Sequence, residues 1–142
     1  MYDPVMVQPM REELTQLGVQ ELRTAEDAQE VLGKKEGSVL LIVNSVCGCA
    51  AGNARPAVAM AKHHSAQPDK MVTVFAGNDA EATAAAREYI VGYPPSSPAM
   101  ALFQNGEIVL MLERKDIEGR MAQEIAQDLN IAFDKLGAGS AS

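Results

Sequence analysis

The chain has no tryptophan, only two cysteines and only two histidines. Without an indole, no tryptophan can flank whatever site it carries. Basic residues are in the minority, 12 against 19 acidic ones, and the resulting net charge of −7 removes the attraction that binding to nucleic acid or an anionic membrane requires. No apolar run approaches the ~20 residues that cross a bilayer; Val39–Val43 is far too short. The opening Met1-Tyr2-Asp3-Pro4 lacks a basic stretch followed by an apolar one, so secretion through a signal peptide is not expected and the cytoplasm is the expected location. No internal repeat, low-complexity block or linker divides the 142 residues. They read as a single domain over residues 1–136 with a flexible tail over residues 137–142.

What is present is a 47% hydrophobic, globular composition with both cysteines in one place, Cys47-Gly48-Cys49. The apolar run Val39–Val43 precedes them and the alanine-rich segment Ala50–His64 follows. A strand, a tight turn and a helix start would bring backbone N–H groups together at the cysteines. That environment favours the thiolate, the form that attacks disulfides. In a reducing compartment a cysteine pair is more often catalytic or metal-binding than a static staple.

The rest of the pattern alternates. Arg11–Gly18 predicts a short helix with Met10, Leu14 and Leu17 on one face, and Thr24 caps a second helix running to Gly33. Val39–Val43 reads as a strand covered on both faces, followed by a helix to about His64 that Pro56 either bends or delays. Met71–Phe75 is the next strand, and Asn78 caps a helix through Ile90. After a proline-rich loop come strand Ala99–Phe103, an Asn105-Gly106 hairpin turn and strand Ile108–Leu112. Asp116 caps a last helix carrying Ile117, Met121, Ile125 and Leu129 on one stripe. Strands separated by helices imply parallel pairing, and the hairpin makes the final strand antiparallel. The expected fold is α/β: a mixed four-stranded sheet with helices on both faces and two extra helices at the N-terminus.

That order resembles the thioredoxin core, with the cysteines at the end of its first strand. More narrowly, the chain resembles the bacilliredoxins in its opening residues Met1 to Leu14, in Asn44-Ser45-Val46-Cys47-Gly48-Cys49-Ala50 and in Tyr93-Pro94-Pro95-Ser96-Ser97-Pro98. Ala101 to Glu107 and Glu113-Arg114 add to the likeness, which spans nearly the whole chain. The resemblance implies a thiol–disulfide oxidoreductase that removes bacillithiol from S-bacillithiolated proteins. Cys47 would attack the mixed disulfide and become bacillithiolated, and Cys49 would resolve that intermediate or form an internal disulfide. Bacillithiol would be a thiol co-substrate, with no bound cofactor. The implied partners are S-bacillithiolated proteins, the low-molecular-weight thiol itself and a recycling reductase.

The residues around the motif carry further expectations. Gly48 would give a one-residue ring the backbone freedom to form, leaving an oxidised pair strained and readily reduced. Alternatively Cys49 never pairs internally and only tunes Cys47. Ser97-Pro98 fits the cis-proline position of thioredoxin-like folds, which would aim the Ser97 backbone at substrate. Asn44 and Ser45 either line the site or satisfy a turn. Arg55 either reaches the carboxylates of bacillithiol or lies on a solvated helix face. Tyr2 and Asp3 could fold over the site.

Two thiolates with His63-His64 would make a zinc set. The fourteen residues from Cys49 to His63, at ~1.5 Å each along a helix, put the two groups roughly 20 Å apart. A resident metal is therefore not expected. A metal carrier binding through Cys47 and Cys49 between two chains remains an alternative, as does a protein disulfide isomerase.

Overall fold

Every residue of the strand Ser38–Asn44 is buried, which makes it the centre of the molecule. Val39, Leu41 and Val43 face one apolar cluster, and Leu40 and Ile42 face the other. This is the two-residue alternation of a strand covered on both sides. The structure is a computed structural model that describes the backbone of residues 1–140 and the side chains of residues 1–136. The tail expected over residues 137–142 lies outside the residues described with side chains.

The central strand, β2, pairs in parallel with β3 (Lys70–Phe75) and antiparallel with β4 (Ala99–Gln104). β5 (Glu107–Leu112) returns beside β4 through Asn105 and Gly106, both at positive φ, as an Asn-Gly hairpin requires. A two-residue strand, β1 (Gln20–Glu21), adds to the outer edge of β3, giving the order β1-β3-β2-β4-β5. The sheet thus has five strands where the pattern predicts four. Gln20-Glu21 is too short to show an alternation. It is held by backbone pairing that continues into Leu22 N–H donating to the Thr73 carbonyl at 2.8 Å.

β4 runs antiparallel to β2, where the alternation of strands and helices predicts a parallel crossover. The segment from Glu88 to Pro98 carries the chain back to the cysteine end of β2, so β4 starts beside Val43 and runs away from it. This reversal places Ser97 and Pro98 next to the cysteine motif.

α1 (Pro4–Thr15) begins well before the expected Arg11. The Asp3 carboxylate accepts from Val5 N–H, and Pro4 occupies a first-turn position that needs no N–H donor. α2 (Ala25–Leu32) has the expected Thr24 cap, reinforced by Asp27 bonding back. The expected long helix after the cysteines is divided. A π-helical turn over Ala50–Ala54 leads into α3 (Arg55–Ala61), and the Arg55 N–H donates to the Ala50 carbonyl five residues back. Pro56 cannot donate, so the chain changes helical pitch in front of it rather than bending within α3.

α4 (Ala80–Arg87) starts directly after Asp79, one residue later than expected, and no side chain caps it, because those of Asn78 and Asp79 are both used elsewhere. The single last helix predicted from Asp116 is two: α5 (Arg114–Ile117), capped reciprocally by Glu113 and Asp116, and α6 (Ala122–Ser140). Gly119, at φ +80°, breaks them and turns Met121 out to solvent.

Residues of α1, α3 and α6 cover one face of the sheet; α2 and α4 cover the other. Ile125, Leu129 and Phe133 of α6 are fully buried, each contributing about 1.5–3 kcal/mol of burial. Among the described residues no helix is long and apolar enough to cross a membrane.

Candidate functional site

The chain leaves β2 at Asn44 and enters the π-helical turn at Ala50, so the cysteines occupy the corner between them. Both are free thiols, partly exposed, with sulfurs 2.7 Å apart. Ser45 bonds Cys47 twice: its hydroxyl donates to the Cys47 sulfur at 3.3 Å and accepts from the Cys47 N–H at 3.4 Å.

These contacts separate the two sulfurs chemically. Burial works against ionisation of Cys47, but the Cys49 thiol, the Ser45 hydroxyl and the N–H groups of Ala50 and Cys49 outweigh it and lower its pKa. Cys49 is pushed up, first by burial, then by the Cys47 sulfur it donates to and by that sulfur's charge; the Arg114 charge opposes this. Cys47 is therefore the more acidic sulfur of the pair, and Cys49 the one that holds its proton longer.

Asn44 does not line the site. It is 2% exposed, its amide donates to the Met10 carbonyl at 3.2 Å, and its oxygen accepts from Ser45 N–H and Arg55 Nη1. Arg55 matches neither reading of it from sequence. It is 3% exposed, donates to Asn44 Oδ1 and the Ser45 carbonyl at 2.9 Å each, and faces Glu13 at 3.2 Å. Together Asn44 and Arg55 lock the backbone that presents Ser45.

Gly48 also departs from expectation. Its φ is not in the left-handed region, and a Cβ built there meets nothing within 4 Å. The corner as it stands does not require glycine; the missing side chain leaves the approach to the sulfurs open.

A cleft of about 310 Å³ opens at Cys47. Ser45 and Val46 lie with it, while Tyr2, Ala76 and Gly77 form one side and Ser97, Arg87 and Arg114 the other. The peptide bond between Ser97 and Pro98 is cis, as the thioredoxin likeness predicts. Ser97 reaches the cleft, and Pro98 is buried behind it.

Tyr2 is held by Asn78, whose side chain accepts from Tyr2 N–H at 3.0 Å and donates to its carbonyl at 3.1 Å. Its ring lies over Gly77, where a Cβ would come within 2.8 Å of it. Behind this wall, buried Arg11 donates to both oxygens of Asp79 at 2.8 and 2.9 Å and lies over the Phe75 ring. The Asp79 carboxylate also accepts from Phe75 N–H at 3.1 Å, bracing the turn that carries Gly77.

The two cleft arginines escaped the sequence reading. Arg87 ends α4 and donates to the Ser96 carbonyl at 3.3 Å. Arg114 opens α5, donates to the Ser97 carbonyl at 3.3 Å, and pairs with Glu118 at 2.9 Å. Only the presence of Arg114 in the family-like Glu113-Arg114 pointed to it. Nothing in the local pattern singles out Arg87.

His64 pairs with Asp134, away from the cysteines. Among the described residues no group of three or more His, Cys, Asp or Glu gathers to hold a metal ion. A larger groove, about 380 Å³ between β5 and α6, is lined by Val109, Leu110 and Ile131 among others and contains neither sulfur.

The comparisons agree with this geometry. The family model described as disulphide isomerase matches residues 2–137. A bacilliredoxin of Salinibacter ruber is 57% identical, over 94% of this chain and 79% of its own length. A bacilliredoxin of Koribacter versatilis is 48% identical, over 95% and 93%. Among solved structures, Fasciola hepatica thioredoxin superposes with a TM-score of 0.56 at 18% identity, over 82% of this chain and 98% of its own, a likeness of fold.

Proposed function

The chain belongs to the bacilliredoxin family of thiol–disulfide oxidoreductases, and from that premise we propose that it removes bacillithiol from S-bacillithiolated proteins. One observation supports the division of labour: of two touching sulfurs, Cys47 has its pKa lowered and opens on a cleft, whereas Cys49 is raised.

In the first step the Cys47 thiolate attacks the bacillithiol sulfur of the mixed disulfide. The old S–S bond breaks, the protein thiol leaves as thiolate and takes a proton from solvent, and a Cys47–bacillithiol disulfide forms. In the second step Cys49, on losing its proton, attacks the Cys47 sulfur and expels bacillithiol as thiolate, leaving a Cys47–Cys49 disulfide. Two electrons and two protons restore both thiols, supplied either by two thiol molecules that leave joined as their own disulfide or by a recycling reductase. Ser45 and the N–H groups of Cys49 and Ala50 hold charge on Cys47 before attack. The Ser97 backbone ahead of cis Pro98 offers an extended edge for the substrate chain. Gly48 keeps the sulfurs approachable, and Asn44 acts at one remove by fixing Ser45. A reducing cytoplasm is the setting this cycle needs.

The test is incubation with a bacillithiolated protein followed by intact mass analysis of both partners. Cys49→Ala should accumulate one bacillithiol on Cys47 while the substrate loses one; Cys47→Ser should transfer nothing. Transfer that persists in Cys47→Ser refutes the assignment. The match to a family described as disulphide isomerase favours a second reading, disulfide isomerisation. There Cys47 opens a substrate disulfide and is expelled when another substrate thiolate attacks, with no net change in electrons. Reactivation of a scrambled protein that survives Cys49→Ala would support it.

A further inference from the structure

The cleft is cationic in an acidic protein. Of 19 Asp and Glu residues, none lines it, while two arginines do. Arg87 and Arg114 bond consecutive carbonyls, those of Ser96 and Ser97, so their guanidinium groups are carried on one short backbone segment opposite Tyr2. Arg114 has Glu118 as partner. Arg87 is half-buried and has no carboxylate partner among the described residues; burial alone acts on its pKa and lowers it. A half-buried cation without a counterion, facing a cavity, is the arrangement that a planar anion satisfies.

We infer that Arg87 and Arg114 form an anion subsite beside Cys47 that recognises a carboxylate on the small-thiol half of the mixed disulfide. This rests on the reading of Cys47 as the attacking sulfur. A cleft of about 310 Å³ has room for a small molecule, not for a folded chain. Bound there, the small thiol presents its sulfur to Cys47 and leaves the protein half outside along Ser97. The subsite thus directs attack to the small-thiol sulfur, so that the protein thiol is the leaving group.

The test uses mixed disulfides of one neutral peptide with either mercaptosuccinate or 2-mercaptoethanol. The kcat/KM ratio should favour the carboxylate-bearing disulfide by about tenfold, the scale of partly screened charge pairs. The preference should shrink with added salt and vanish in Arg87→Gln/Arg114→Gln. A parallel arm follows alkylation of Cys47 in a Cys49→Ser background. The double substitution should slow iodoacetate relative to iodoacetamide by about fivefold. Both reagents attack the same thiolate, so their ratio cancels any change in its amount.

A ratio unmoved by the arginine substitutions overturns the subsite, whatever the fate of the debacillithiolation reading. Preference that follows a carboxylate placed on the peptide instead overturns its assignment to the small thiol. Failure to act on bacillithiolated protein with the arginine-dependent ratio intact would refute the broader reading and leave the subsite standing.

Discussion

Replacing Ser45 with alanine removes one oxygen that donates to the Cys47 sulfur at 3.3 Å and accepts from its N–H at 3.4 Å. A hydrogen bond to a charged group contributes about 1.5–3 kcal/mol. The lower end applies in an open cleft, and about 1.4 kcal/mol is tenfold in an ionisation constant. Below its titration midpoint Cys47 should therefore carry about tenfold less thiolate. The thiolate that remains is more basic, and with a Brønsted coefficient near ~0.5 it is about threefold more reactive. The net result is alkylation about threefold slower at low pH and about threefold faster on the high-pH plateau. The pH–rate curves of Ser45→Ala and the parent, both in a Cys49→Ser background, should cross. Curves that coincide, or a variant curve below the parent at every pH, would refute the reasoning, since distortion alone gives no crossing.

Gly48→Ala should stabilise the protein by about 0.5–1 kcal/mol in urea unfolding, because the backbone there is not left-handed, space is open, and alanine restricts the unfolded chain. Arg55→Met should cost about 1–3 kcal/mol in the same assay, since it strands the buried Ser45 carbonyl and leaves the Asn44 oxygen with the Ser45 N–H as its one donor. Asp79→Asn should cost ~3 kcal/mol by leaving Arg11 buried without its bidentate partner. Stability should also depend on pH through the thiols. Cys47 has its folded-state pKa lowered, so between its folded and unfolded values the unfolded chain binds more protons and the urea midpoint climbs with pH. That gain is lost as pH falls through the folded value, and it should be absent in Cys47→Ser. Cys49, raised, acts in the opposite sense, giving up stability as pH rises through its window.

Much of this was legible from local pattern. Val39–Val43 declared a strand buried on both faces, Asn105-Gly106 a hairpin, and Thr24 a cap, because each depends on neighbours in the chain. The likeness to thioredoxin placed the cis bond before Pro98. What escaped depends on residues far apart. Gln20-Glu21 becomes a strand only because β3 offers an edge. Asn78 does not cap α4 because Tyr2, 76 residues away, claims its side chain. Arg55 sits in a helix that reads as solvated until Asn44, Ser45 and Glu13 fold around it. Arg87 and Arg114 meet only because the chain between them reverses to lay β4 beside β2.

The cleft draws on residues from Tyr2 to Arg114. During translation the sulfurs leave the ribosome long before the hairpin and the arginine that complete their surroundings. A nascent or truncated chain therefore carries two thiols without the cleft that directs them. Directed attack therefore needs the chain complete through Arg114, although the groups that acidify Cys47 emerge beside it.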